Sequence, residues 1–268
     1  LNNNNNSHFW DARTYDKVSS NVQLGWGRKL IEKRRWIGNE IVMDAGSGSG
    51  NLTQVLADIV PDGYVYAVDA DPNMVLQAKS NLSSYPNVEV IHSSMDNVNL
   101  PRKVDVIFSN SAIHWILDQK SLFSHFWQLL KPYGGELLIE CDGYGNLEKE
   151  ADIAFKIMQS DQFKGYFANW TQSWYFPKPE DTKRLLQKIG FRDSQIYLSN
   201  QTITFPNLEC FRLFAKTVIT KPFLNYFHDD DGKKHHFVEG FIDELRRTVC
   251  GRTWSLDFVR LNILARNF

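Results

Sequence analysis

A short apolar run that breaks into alternating glycines constrains this chain more than any other feature. Residues 41–51 read IVMDAGSGSGN. A buried strand that ends in a glycine-rich turn and passes straight into a helix fits an open α/β sheet. Glycine allows the turn to be tight and lets a ligand approach the backbone without a Cβ in the way. The helix start beyond it offers unpaired N–H groups to an anionic or carboxylate end. Ligands of such sheets bind at this point.

The rest of the first half repeats the pattern. Further strands are expected at Tyr64–Val68, Val88–Ile91, Val104–Ser109 and Glu136–Cys141. Helices are expected at 51–60, 72–82 and 120–130. This spacing predicts βαβ units, a mostly parallel sheet and helices on both faces. The pattern stops after Asp142. Residues 143–178 are aromatic-rich and read as irregular; a helix over 180–189 and a strand over Asp193–Ser199 follow. Residues 205–258 read as helical, with a polar loop at 228–236, and Leu261–Asn267 reads as a last strand. The helical reading over 18–36 rests on apolar residues at mixed three- and four-residue steps. Residues 1–7, LNNNNNS, read as a low-complexity tail. The expected organisation is therefore one domain over 8–268, with the insertions 143–178 and 205–258 forming a cap over a substrate.

Charge narrows the function. Thirty Lys and Arg against 31 Asp and Glu give a net charge of −1, which opposes binding driven by a basic surface; no nucleic-acid partner is expected. No apolar run reaches membrane-spanning length, so no membrane partner is expected either. Three scattered cysteines form no disulfide framework and no paired-cysteine metal site, and no metal is expected. A reducing, cytoplasmic setting is the expectation. The run from Asp229 to His236 is acidic then basic but lacks metal-ligand spacing.

Two acids extend the glycine motif. Asp69 ends the second strand, where a carboxylate can take both hydroxyls of a ribose. Asp96 follows the third strand, where it can accept from an adenine amino group. The third glycine comes one residue early for a dinucleotide fingerprint, and no Lys-Ser/Thr pair follows for a P-loop.

With these pieces in place the sequence resembles the class I S-adenosylmethionine-dependent methyltransferases. The carriers are VMDAGSGSGN (42–51), AVDADPNMV (67–75), HSSMD (92–96), DVIFSNSAIHW (105–115) and LKPYGGELLIE (130–140). Within that family it is most similar to the trans-aconitate and malonyl-carrier-protein methyltransferase group, through WDARTYD (10–16), Gln23 and the Phe205-Pro206 segment. The resemblance implies a Rossmann-like seven-stranded α/β sheet of order 3-2-1-4-5-7-6, with the last strand antiparallel. It implies S-adenosyl-L-methionine as cofactor, held at the methionine end by Asp44, Gly46, Gly48, Gly50 and Asn110. Asp69 would bind the ribose, with Ala70, Met74, Met95 and Asp96 around the adenine. Tyr15 and Gln23 would come from an N-terminal lid.

The expected reaction is in-line methyl transfer to a small molecule, with a carboxylate as the first acceptor to consider. It is catalysed mainly by orientation and desolvation. The alternatives are a carrier-protein or other macromolecular acceptor, and a NAD-dependent oxidoreductase. His114 is the base candidate, or else a pocket wall beside Trp115. Arg13, Arg212 and Arg260 are the candidates for clamping a carboxylate, together with Trp115 as a substrate wall. The aromatic stretch after Asp142 either forms a core of its own or lines an apolar cavity.

Overall fold

A computed structural model of the chain describes residues 24–228, 230–250 and 253–267. The expectations for the tail, Arg13, Tyr15 and Gln23 lie outside the described residues. A helix α1 covers 24–31 of them. Then come β1 (Ile41–Ala45), α2 (Asn51–Ile59), β2 (Tyr64–Asp69), α3 (Pro72–Asn81), β3 (Val88–His92), β4 (Val106–Asn110), α4 (Gln119–Leu129) and β5 (Glu136–Asp142). The second half adds α5 (Glu148–Met158), α6 (Pro179–Ile189), β6 (Asp193–Thr204), α7 (Leu208–Phe214), α8 (Lys221–Leu224), α9 (Asp231–Leu245) and β7 (Ser255–Arg266).

Among the described residues the sheet has seven strands in the order β3-β2-β1-β4-β5-β7-β6. The first five are mutually parallel, and β7 runs antiparallel to both β5 and β6. This is the order and sense that the resemblance implies. The central strands are apolar nearly throughout because helices cover both faces. Val42, Val65, Phe108 and Leu138 face one helical layer, with Leu30, Ile31 and Leu56. Met43, Ile107, Ile139 and Ile263 face the other, with Phe123, Phe126 and Leu186. Helix α3 starts where the sequence says it must: Pro72 occupies its first turn, and the Asp71 carboxylate accepts the N–H groups of Asn73 and Met74.

Three expectations in the second half need correction. The stretch 143–178 is not irregular throughout, since it contains α5. Glu148 and Glu150 in the first turn and Lys156 in the last complement the helix dipole, and Ala154 and Met158 keep a helical step on the buried side. The aromatic residues after Met158 mask that shorter periodic stretch. The polar run 228–236 is not a loop throughout, because α9 begins at Asp231, capped by Asp230, which accepts from the Lys233 amide at 2.9 Å. Its first turn is polar, and its apolar side begins only at Phe237 and Val238. Finally β6 and β7 are each 12 residues long, so residues 255–258 are strand and not helix. Their outer ends continue pairing beyond the end of β5, from Asn200↔Val259 to Thr204↔Ser255.

That extension enters a second core. Ile203, Leu256 and Phe258 pack there with Ile153 and Phe163 of one insertion and with Phe214, Phe223 and Phe241 of the other. The aromatic stretch therefore forms a core shared between the two insertions. Among the described residues no helix is long and apolar enough to cross a membrane.

Candidate active site

The carboxyl ends of β1, β2 and β4 meet at the glycine turn. The Gly46 and Ser47 amides donate to the Val68 carbonyl at 2.8 and 3.0 Å, folding the turn back onto β2. Gly46, Gly48 and Gly50 all take positive φ, at 79°, 56° and 91°, a region that side chains other than glycine's enter only at a cost. Their surroundings differ. A Cβ on Gly46 would lie 2.3 Å from the Ala112 Cβ and 3.1 Å from the Met95 methyl carbon, and one on Gly50 would lie 2.8 Å from a Leu82 methyl. A Cβ on Gly48 would meet nothing within 4 Å. Two glycines thus close the turn against its neighbours, and the third faces open space.

Asp69 braces that open side. One carboxylate oxygen accepts the Gly48 amide and the other the Asp71 amide, both at 2.8 Å. Each oxygen keeps a lone pair, enough for a vicinal diol. Burial pushes the Asp69 carboxyl up, and the two amides pull it down. Asp44 lies deeper, almost fully buried, and accepts the Thr53 hydroxyl at 2.7 Å. Burial, with the Asp69 charge adding to it, raises its carboxyl to about 7. The loop after β3 ties in beside them: the Ser93 amide donates to the Asp69 carbonyl at 3.0 Å, and the His92 ring contacts the Ala70 carbonyl at 3.1 Å. Met74 is buried, Ala70 is exposed, and Asp96 accepts the Ser94 hydroxyl. Asn110 is buried at the end of β4. These residues fit an adenosine-type group: the open face at Gly48, a diol-accepting acid and a helix start lie side by side.

A second concavity adjoins the first through the loop after β4. Ala112 packs on Gly46, whereas Ser111 and His114 line a cavity of about 100 Å³. Its walls are largely aromatic, with Trp26, Trp115, Trp174, Phe176, Phe214 and Phe223 among them. Its polar pole is built by strand register. Glu140 and Asp142 share one face of β5, and Arg260 of β7 stands directly opposite Asp142. The Arg260 side chain, 1% exposed, pairs with Asp142 and with Glu140 at 3.3 Å, and donates to the Ser111 hydroxyl at 2.6 Å. Its guanidinium also lies over the Trp26 ring, 4.4 Å from the centroid. Ser111 itself is held at φ 59°.

His114 sits beside this pole, 4% exposed, with Nε2 3.6 Å from an Asp142 carboxylate oxygen. The Asp142 amide points at Nδ1 from 3.5 Å, and the His114 carbonyl accepts the Tyr175 amide at 2.8 Å. Burial lowers its pKa to about 4; Asp142 pulls the other way, and Arg260 adds to the lowering. His114 is therefore neutral near pH 7.

The structure brings His114, Trp115 and Arg260 to one cavity. Arg212 pairs instead with Glu239 at 2.9 Å and is absent from the cavity wall. Sequence reasoning does not single out Glu140, Asp142, Ser111 or Glu150. The first two leave a readable signal: two acids at alternate positions in an otherwise apolar strand end.

Comparison with known proteins places the glycine turn and the strands around it within a described domain. Residues 42–134 match the family model described as a methyltransferase domain. Malonyl-[acyl-carrier protein] O-methyltransferase 1 of Ilyobacter polytropus is 35% identical over 137 residues, 49% of each chain. Trans-aconitate 2-methyltransferase of Escherichia coli is 33% identical over 95 residues, 35% of this chain and 36% of its own. The solved YcgJ protein of Bacillus subtilis superposes with a TM-score of 0.61 at 16% identity, covering 92% of this chain and 98% of its own.

Proposed function

We propose, from the match of residues 42–134 to a methyltransferase domain, that the chain is an S-adenosylmethionine-dependent methyltransferase and methylates a small molecule bound in the aromatic cavity. One observation carries this reading. The loop 110–114 has one side against the glycine turn and the other in the cavity wall, so donor and acceptor share a boundary one loop thick. When bound, S-adenosylmethionine supplies a methyl group already activated by a sulfonium charge. The chain's own residues then have two tasks, to align the acceptor for in-line displacement and to keep water out. Alignment of this kind is worth roughly 7–11 kcal/mol.

Asp69 and the glycine turn are the proposed cofactor cradle. Asp69→Ala should weaken S-adenosylhomocysteine binding at least about 100-fold, because two charge-assisted hydrogen bonds are lost. Isothermal titration reads this directly, and unchanged affinity would remove Asp69 from the cradle.

An acceptor that bears a proton on its nucleophile suits the pole best. Neutral His114 offers a lone pair for that proton, and Asp142 beside it favours the imidazolium that results. His114→Ala should lower turnover roughly 100- to 10,000-fold and leave cofactor affinity unchanged. The acid limb of kcat/KM should fall near pH 4, not near 6.5, since burial depresses this imidazole. A midpoint at 6.5, or an unaltered rate in the variant, would reduce His114 to a wall residue. The second reading, a carboxylate acceptor, is favoured by the names of the malonyl and trans-aconitate relatives. Such an acceptor needs no base, and Arg260 is the cation in the wall, but Glu140 and Asp142 already offset its charge. Turnover assays over amines, phenols and carboxylic acids decide between the two. The free thiols of Cys141 and Cys210 are in keeping with a cytoplasmic setting.

A further inference from the structure

Glu150 lines the same cavity and has no role in the reaction so far. It belongs to α5, is 5% exposed, and among the described residues pairs with no cation. Its place in the first turn complements the helix dipole, as Glu148 does from the exposed side, but does not require it to face the cavity. A buried acid without a counter-charge is costly, and such groups persist where something else compensates. Burial pushes its carboxyl above the ordinary range; its own backbone amide, and after it neighbouring Lys149, oppose this only in part, and Asp257 adds to the rise.

The rest of the cavity favours one kind of compensation. Of the charged residues in the wall, Asp142 and Glu150 are two acids against the single cation Arg260, a formal balance of −1, and Arg260 also pairs with Glu140 behind it. Arg260 is already taken up by its two carboxylates and the Ser111 hydroxyl. Trp174, Phe214, Phe223 and Phe258 line the same space, and aromatic rings of this kind attract cations to their faces. An acid in an aromatic enclosure is a site for a cationic nitrogen.

We propose that the acceptor carries an ammonium group held by the Glu150 carboxylate among the aromatic rings, with its nucleophilic atom at the Ser111–His114 end. The assignment of the second end rests on the methyl-transfer reading above; the cation site does not. The acceptor class is then an apolar amine with a separate nucleophile, rather than a di- or tricarboxylate.

The test uses three probes of equal size, 2-phenylethylamine, 2-phenylethanol and phenylacetate, titrated into the whole chain with and without S-adenosylhomocysteine. The amine should bind at least about tenfold tighter than the alcohol, with phenylacetate weakest. Glu150→Gln, which keeps the shape and removes the charge, should abolish the amine's advantage and melt no lower than the parent, whereas Glu148→Gln should change neither. Equal binding of the three, no binding, a preference for phenylacetate, or an amine preference that survives in Glu150→Gln overturns the proposal. Failure of S-adenosylhomocysteine to bind would strike the methyl-transfer reading alone, since the probe series without nucleotide still reads the cation site.

Discussion

Gly46→Ala is expected to lose a large part of the chain's folding stability, while Gly48→Ala two residues away folds nearly as well as the parent. The contrast follows from the turn. An alanine at 46 adds a carbon 2.3 Å from the Ala112 Cβ and keeps a φ of 79°. Ala112 is buried directly before the short 3-10 turn Ile113–Trp115, so it has little freedom to retreat. Overpacking and backbone strain together cost roughly 3–5 kcal/mol, much of the roughly 5–15 kcal/mol available to a whole domain. At 48 the strain remains, at φ 56°, but no atom lies within 4 Å. That substitution should cost about 1 kcal/mol, a loss of roughly 2–4 °C in Tm. It should nevertheless lose nucleotide affinity, because the methyl fills the open face beside Asp69. Urea titration and calorimetry on both variants check the pair; equal stability of the two would contradict the turn geometry.

Arg260→Met is the second large effect. The substitution strands Glu140, 3% exposed, and leaves Asp142 without its strongest partner. Breaking a buried ionic cluster from one side costs about 3–5 kcal/mol, because the remaining charge is uncompensated. The charge is what the second step removes: adding Glu140→Gln and Asp142→Asn to Arg260→Met should recover most of the loss in chemical denaturation at pH 8. A deficit with no recovery would mean that Arg260 contributes by packing on Trp26 and not by charge.

The parallel half of the sheet is legible in the sequence for a physical reason. Strands covered on both faces need apolar residues at successive positions, and turns between them need Gly, Pro or Asp at fixed places, so β1, β2, α3 and β5 announce themselves. The same holds for the glycine turn and Asp69, whose roles follow from local backbone. The acceptor side is built differently. Glu140 and Asp142 meet Arg260 across about 120 residues of sequence through antiparallel register. Sequence names Arg260 as one of three equivalent cations; only the pairing of β5 with β7 separates it from Arg212. Glu150 leaves no trace, since an acid in the first turn of a helix reads as solvated whether or not it faces a cavity. The aromatic stretch has no period because its rings meet partners from separate later elements, Phe223, Phe227 and Phe237 among them. The early third glycine, by contrast, separates this turn correctly from a NAD-binding one.

The β6–β7 ladder has a further consequence. One continuous hydrogen-bonded ribbon begins beside β5 and ends among the aromatic residues of the insertions. The insertions and the parallel sheet therefore share a beam among the described residues. Turning one against the other would mean bending paired strands, so whatever the aromatic cavity admits is expected to be sorted as a gauge sorts, by what enters and seats between walls fixed to the same ladder.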